Sequence, residues 1–149
     1  MKRQCYLLTF ALLLVLAGCG AASAAGASVT TPTVVAVHVV RFSHSYQYPR
    51  LDVLMTDAAK AQHLYAAIET LPPYPKGMVS CNVDLDIQYS VSITFRNAPA
   101  QQMLINASGC QYVAVKKDDW RAPTPAFYAL LASAIGVSVP DLFPKPPAS

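Results

Sequence analysis

A run of strictly alternating apolar and polar residues constrains this chain more than any other feature of its sequence. Between positions 83 and 95 every odd residue is apolar and every even residue is polar. Successive side chains of a β-strand point to opposite faces of its sheet. Thirteen residues of this pattern therefore predict a long strand with one face on a hydrophobic core and the other face in water.

Two shorter strands are predicted after the long one. Residues 96–100 provide a turn, and the apolar runs at residues 103–107 and 110–115 flank the pair Ser108-Gly109. A tight turn that contains glycine between two such runs is typical of a β-hairpin. The long strand and the two shorter ones are therefore predicted to form an antiparallel meander.

The residues before the meander predict one strand and a helix, with a candidate short strand between them. Residues 33–42 are β-branched and apolar on both faces, as expected of a central strand covered on both sides, and residues 51–55 have the length of a short strand. Thr56 or Asp57 can cap the free N–H groups of a helix that Pro72-Pro73 then ends. Its apolar stripe consists of residues at helical spacing: Ala61, Leu64, Tyr65, Ile68 and Leu71.

A second helix is predicted after a charged loop at residues 116–121. Thr124 caps it, Pro125 takes its first position and Gly136 ends it. Its apolar face is lined by Phe127, Leu130, Leu131 and Ala134. The elements together predict an α+β fold, in which an antiparallel sheet of about four strands carries both helices on one face.

The composition is that of one folded domain. Of the 149 residues, 54% are hydrophobic and 13% are charged, which argues against intrinsic disorder. We place a single domain at residues 33–143 and expect a disordered tail at residues 144–149. Without Lys2 and Arg3, nine basic residues remain against eight acidic ones, a net charge of about +1. This balance excludes a nucleic-acid binder that relies on a dense basic face.

The first twenty residues have the organisation of an export signal. Lys2 and Arg3 precede an apolar run at residues 7–16, which is too short to cross about 30 Å of hydrocarbon. The run ends in Leu16-Ala17-Gly18-Cys19. This segment resembles the lipobox of bacterial lipoproteins, whose cysteine receives a diacylglyceryl group before the leader is removed. The alternative is an ordinary secretory signal that is cleaved at Ala22-Ser23-Ala24.

The lipobox resemblance implies a lipid-anchored protein on the extracytoplasmic face of the cell membrane. Residues 1–18 are then the leader, and residues 19–32 are the lipidated Cys19 with a flexible tether of Ala, Ser, Gly and Thr. Two or three acyl chains, such as diacylglyceryl and palmitate, hold a protein stably at a membrane, whereas one chain does not. The tether has a mean reach of roughly 20 Å by random-coil scaling.

The cysteines support export. Cys5 leaves with the leader and Cys19 takes the lipid, so Cys81 and Cys110 remain as a pair. Two cysteines in an exported domain predict a disulfide, which would stabilise the fold by roughly 3–4 kcal/mol. A two-cysteine metal site is the alternative, although neither cysteine has a CxxC partner or a nearby histidine.

The mature chain also resembles small uncharacterised bacterial lipoproteins. The shared features are a helix that ends in LYAAIETLPPYP, a cysteine before a long Tyr- and Phe-rich strand, and ASGC before the next strand. This resemblance supports the α+β fold and implies no activity.

The loop at residues 73–80 is the candidate partner-binding segment. Three prolines at positions 72, 73 and 75 and the adjoining Cys81 would hold Tyr74, Lys76 and Met78 in a fixed, exposed conformation, which lowers the entropic cost of binding a partner. A plain structural turn is the alternative for this loop. A further set of aromatic residues is suited to a glycan or protein surface: Tyr46, Tyr48, Tyr74, Trp120 and Tyr128.

Metal binding and catalysis are the weaker hypotheses. His38 and His44 with the methionines (Met55, Met78 and Met103) would suit copper, but no two of these ligands have the spacing of a metal motif. No G-x-S-x-G motif is present, and Asp84 and Asp86 are expected on the water face of the long strand. An enzyme would need a pocket that gathers His38 or His63 with a carboxylate.

The sequence therefore predicts a non-enzymatic binding or interaction module at the cell envelope. We expect no cofactor, no metal and no catalytic residue. The expected partners are the membrane, through the lipid on Cys19, and an envelope protein. A metal- or small-molecule-binding lipoprotein that uses His38, His44 and the methionines is the second hypothesis, and a small hydrolase-type enzyme is the third.

Overall fold

The fold was analysed in a computed structural model that describes residues 32–77 and 80–146. It is an α+β fold with one antiparallel sheet in the strand order β2-β1-β3-β4-β5-β6. The strands are β1 (Val34–Phe42), β2 (Asp52–Met55), β3 (Gln88–Phe95), β4 (Gln101–Asn106), β5 (Tyr112–Lys116) and β6 (Asp119–Arg121). The helices are α1 (Ala58–Glu69) and α2 (Pro125–Ile135), followed by a single 3₁₀ turn at Pro140–Leu142.

Both helices begin at a predicted cap and α2 ends at Gly136, whereas α1 ends at Glu69, three positions before Pro72, so Leu71 lies beyond the helix. The Asp57 carboxylate accepts hydrogen bonds from the N–H groups of Ala59 and Lys60 at 3.0 and 3.1 Å. The Thr124 hydroxyl accepts from the N–H of Phe127 at 3.1 Å. Gly136 ends α2 in the left-handed conformation, with φ at 74°. Neither helix, nor any other in the described part of the chain, is long and apolar enough to cross a membrane.

The hydrophobic core lies between one face of the sheet and the two helices. The odd-numbered residues of β3 are buried, among them Tyr89, Val91 and Ile93, and they pack with Leu64 of α1 and Leu131 of α2. The prediction that both helices cover the odd-numbered face is confirmed. Among the described residues, no helix lies on the even-numbered face, which we call the open face.

The sheet has six strands, not about four. One of the additional strands is β6, because the predicted charged loop at residues 116–121 folds into a turn and a three-residue strand. Asp118 makes this turn with φ at 62°. A strand of three residues is too short to show an alternating pattern, so its pairing with β5 decides its conformation.

The long strand is shorter than its pattern predicts. Residues 83–87 are irregular and β3 begins at Gln88. Asp86 has φ at 52°, which breaks the extended conformation, and the N–H of Ile87 donates to the Ser108 hydroxyl instead of to a neighbouring strand. Hydrogen bonds to side chains replace backbone hydrogen bonds between strands here. The alternation of apolar and polar residues alone does not predict this replacement.

Within residues 32–77 and 80–146, helices cover the first strand on one side only. Val37 and Val39 of β1 are fully buried against the helices, whereas His38, Val40 and Phe42 lie half-buried on the open face. The prediction of a doubly covered strand is therefore wrong. A β-bulge between Val34 and Ala36 interrupts the register of β1 with β3 near the start of the strand.

The predicted disulfide between Cys81 and Cys110 is present and joins the segment before β3 to the segment before β5. Gly109, next to the disulfide, has φ at 57° and lies close to Asp84. A Cβ at position 109 would be only 3.0 Å from the Asp84 Cβ. The leader, Cys19, the tether up to residue 31, Met78 and residues 147–149 lie outside the described residues.

Candidate ligand-binding surface

Cross-strand pairing arranges the open face in rows of side chains. The central row crosses all six strands, from Asp52 through Val40, Ser90, Leu104 and Ala114 to Trp120. Directly opposed residues on one face of an antiparallel pair have their Cβ atoms about 5 Å apart, so they contact one another. The row has Ser90 and Leu104 at the middle of the sheet and ends in the only tryptophan of the chain.

Three aromatic side chains meet at the β5–β6 end of the sheet: Tyr74, Tyr112 and Trp120. The rings of Tyr112 and Trp120 are stacked, with centroids 4.8 Å apart and planes at 11°. Tyr74 meets both rings edge-on, at centroid distances of 6.2 and 6.3 Å. We call these residues the aromatic trio. The Trp120 side chain is nevertheless half exposed, at 50%.

Backbone pairing places Tyr74 in the trio. Its N–H donates to the Trp120 carbonyl at 2.8 Å, and the N–H of Ala122 donates to the Pro72 carbonyl at the same distance. Pro73 forms an antiparallel bridge with Arg121. The beginning of the 73–80 loop therefore runs beside β6 and is held there as an extension of the sheet.

Arg121 fixes β6 to the end of the first helix. Its guanidinium donates to the carbonyls of Glu69 and Leu71 at 3.2 and 3.1 Å and to both carboxylate oxygens of Asp119 at 2.6 and 3.1 Å. The hydrogen bond from Arg121 lowers the pKa of Asp119, and the same contact raises the pKa of Arg121. The strand that carries Trp120 is thus anchored on both sides.

A shallow hollow of about 450 Å³ lies on the open face beside Trp120. Its floor is apolar, with Phe42, Leu104 and Ala114 next to the indole. Polar groups stand around this floor: Ser90, Gln102, Lys116 and Lys117. A concave apolar floor with a few polar groups has the chemistry of a small-ligand site. We refer to it as the hollow.

The other end of the open face carries a histidine–carboxylate contact. Nε2 of His38 lies 2.7 Å from Oδ1 of Asp52, and an Arg50 guanidinium nitrogen lies 2.7 Å from Oδ2. The hydrogen bonds with His38 and then with Arg50 lower the pKa of Asp52. Ser92 faces His38 across the strands, but its hydroxyl accepts a hydrogen bond from Gln102 at 2.8 Å. The structure thus gathers a histidine with a carboxylate at the β1–β2 end of the sheet.

Asp84 and Asp86 hold loops together. The Ser108 hydroxyl donates to Asp84 at 2.6 Å. Burial alone would raise the pKa of Asp86, but hydrogen bonds from the Ser43 hydroxyl and from the N–H groups of His44 and Ser45 outweigh it and lower the pKa to about 2. The sequence pattern placed these two carboxylates in water on a strand. In the structure they accept hydrogen bonds from neighbouring loops instead.

The remaining aromatic residues of the predicted surface lie elsewhere. Tyr46 and Tyr48 pair with each other at 5.8 Å, and the Tyr48 hydroxyl donates to the Leu85 carbonyl. Tyr128 is buried against Phe143, with ring centroids 5.0 Å apart. Of the predicted binding loop, Tyr74 belongs to the trio, Lys76 is exposed and Met78 lies outside the described residues.

The residues of the metal hypothesis are divided between the two faces of the sheet. His38 is on the open face, and His44 lies in the following loop with its ring against Phe42 at 5.6 Å. Met55 and Met103 are buried in the core on the helix side. Within residues 32–77 and 80–146, no group of three or more His, Cys, Asp or Glu side chains is placed to hold a metal ion.

Tyr112 and the hollow are the features that sequence reasoning missed. Tyr112 is the first residue of β5, and its position on the open face brings its ring against Trp120. No protein-family model, no curated protein and no solved structure matches this chain. What it binds is therefore inferred from its own residues and their geometry.

Proposed function

We propose that this protein is a lipid-anchored, extracytoplasmic binding module without enzymatic activity, and that the aromatic trio and the hollow are its binding surface. The observation that carries the proposal is the stacked, half-exposed Trp120 at the end of an uncovered sheet face. A large aromatic side chain that stays exposed while its neighbours fix its orientation is typical of a recognition site.

Preorganisation supports this assignment. Tyr112 stacks on the indole, Tyr74 borders both rings, and Arg121 anchors the strand beneath them. Little conformational entropy is then lost when a ligand contacts Trp120. The Cys81–Cys110 disulfide, the lipobox-like segment that ends in Cys19 and the Ala- and Gly-rich tether support an exported protein held near the membrane.

Cross-linking of the full-length protein on intact cells tests the binding surface. We expect a discrete captured species with the wild-type chain and its loss with Trp120→Ala. Leu54→Ala is the matched control, because Leu54 is 64% exposed at the opposite edge of the sheet. Equal capture by both variants would contradict the proposed surface.

Lipidation is tested separately by mass spectrometry of the mature N-terminus. We expect a diacylated peptide that begins at Cys19, and release of the protein from the membrane fraction in Cys19→Ser. An unmodified N-terminus near Ala24 would show the alternative, an ordinary secreted protein.

A further inference from the structure

We propose, on the basis of the proposed function, that the ligand of the hollow is an acidic saccharide. One sugar ring would stack on the exposed face of Trp120, and its carboxylate would lie at Lys116 and Lys117. The proposal combines three observations on the described residues: an apolar floor, hydrogen-bonding groups beside it and a positive rim.

The floor fits the face of a pyranose ring. Tyr112 covers one face of the Trp120 indole, so the exposure of this side chain is on its other face and its edges. Leu104 and Ala114 extend the apolar area beside the indole. The C–H groups on the face of a sugar ring are apolar, whereas its hydroxyl groups point outward around the rim, so the ring can lie flat on such a floor.

Hydrogen-bonding side chains adjoin the floor where those hydroxyl groups would lie. Gln102 uses its NH₂ group toward Ser92, which leaves its carbonyl oxygen as an acceptor. The Ser90 hydroxyl has no side-chain hydrogen bond among the described residues, and it can both donate and accept. A hydroxyl-rich ligand satisfies both groups, whereas an apolar ligand would leave them unpaired.

The rim selects for negative charge. Lys117 forms no ion pair within the described part of the chain. The Lys116 side chain is 74% exposed, and its contact with the Asp119 carboxylate is long, at 3.9 Å. Both oxygens of Asp119 already accept hydrogen bonds from Arg121. Residues 116–121 carry three basic and two acidic side chains, a net charge of about +1, and of these five only Lys116 and Lys117 line the hollow. This edge of the hollow is therefore positive.

The rest of the open face favours a small polar ligand over a protein. A stable protein interface buries about 800 Å² on each side and has an apolar centre. Beyond the hollow, β3 presents Gln88, Ser92 and Thr94 on the same face. The hollow itself, at about 450 Å³, has the size of a site for a ligand of one or two sugar rings.

Trp120 makes the test direct, because it is the only tryptophan and its emission reports on the hollow. The full-length lipidated protein, in a polyoxyethylene detergent without sugar headgroups, is titrated with trisaccharides of glucuronate, galacturonate and mannuronate and with their neutral methyl esters. We expect a saturable change in emission with at least one acid and about tenfold weaker binding of its methyl ester. No saturable change with any of the acids, or equal binding of acid and ester, would overturn the proposal.

Substitution of a lysine at the edge of the hollow isolates the contribution of charge to binding. Lys117→Gln should weaken binding of the acid about two- to fivefold and leave binding of the ester unchanged, as expected for one exposed ion pair. Lys60→Gln, on the exposed side of α1, is the matched control and should change neither. An equal loss in both variants would mean non-specific charge attraction and would overturn the proposal.

The two proposals fail separately. If no uronate binds, yet a protein captured on cells is lost with Trp120→Ala, the surface is correct and the ligand class is wrong. If nothing captured on cells depends on Trp120, the binding surface itself is wrong.

Discussion

Asp86 illustrates how one residue can set the shape of a loop against the local sequence pattern. Its backbone is left-handed, and its carboxylate holds the turn after β1 through Ser43, His44 and Ser45. These hydrogen bonds favour the charged carboxylate, which is why its pKa falls to about 2 in spite of partial burial.

The charge of Asp86 should contribute to stability in a defined pH range. Because its pKa is lower in the folded chain than the ordinary value of 3.8, the contribution is fully present above about pH 4 and is lost as the pH falls toward 2. Asp86→Asn should therefore lower the free energy of unfolding by about 1–2 kcal/mol at pH 7, after allowance for solvent screening, and by much less at pH 2. Urea unfolding followed by circular dichroism at both pH values measures this.

Asp118→Asn is the matched control for Asp86. Asp118 also has a left-handed backbone, with φ at 62°, but its carboxylate accepts no hydrogen bond among the described residues. Its substitution should change stability by less than about 0.5 kcal/mol at either pH. A pH-independent loss in Asp86→Asn would contradict the assigned role of its charge.

At the scale of elements, the turn between β4 and β5 depends on glycine. Gly109→Ala would add both left-handed strain and a contact at 3.0 Å with Asp84, whereas Gly136→Ala at the end of α2 adds the strain alone. We expect a loss of about 1 kcal/mol for Gly136→Ala and at least about 1 kcal/mol more for Gly109→Ala, measured by urea unfolding. Equal losses would mean that the Asp84 contact is relieved without cost.

The elements that the sequence predicts well are those whose signals are local. Asp57, Thr124 and Gly136 cap or end their helices through contacts within a few residues, and the apolar stripe of α1 is visible in its spacing. The start of β3 and the existence of β6 are different, because the hydrogen bond that the N–H of Ile87 donates to the Ser108 hydroxyl decides the first, and pairing with β5 decides the second. Ile87 and Ser108 are 21 positions apart, and the three residues of β6 are too few to show an alternating pattern, so neither feature has a local sequence signal.

The candidate surface was predicted only in part, for the same reason. Tyr74 and Trp120 stood out as aromatic residues near loops, but their contact depends on the backbone pairing of residues 72–74 with β6. Tyr112 joins them because even-numbered residues of the sheet face away from the helices. Which face the helices leave open was inferred correctly, but the row that ends in Trp120 requires the register of all six strands.

At the scale of the whole molecule, the disulfide links the two loops at one end of the meander. It joins residues separated by 29 positions. The double variant Cys81→Ala/Cys110→Ala should unfold with a free energy lower by about 3–4 kcal/mol. A reductant should lower the stability of the wild-type chain by a similar amount and leave the double variant unchanged. A loss below about 1 kcal/mol would mean that the meander does not need this link.

The most direct test of the central claim, that ligands bind at the Trp120 end of the open face, is photo-cross-linking on intact cells. A benzophenone amino acid replaces Lys117 at the hollow in one chain and Leu54 at the opposite edge in another, roughly 24 Å away across six strands. Mass spectrometry then identifies attached glycans and proteins alike. We expect a discrete adduct from position 117 and none from position 54. Adducts of the same kind and yield from both positions would contradict the claim.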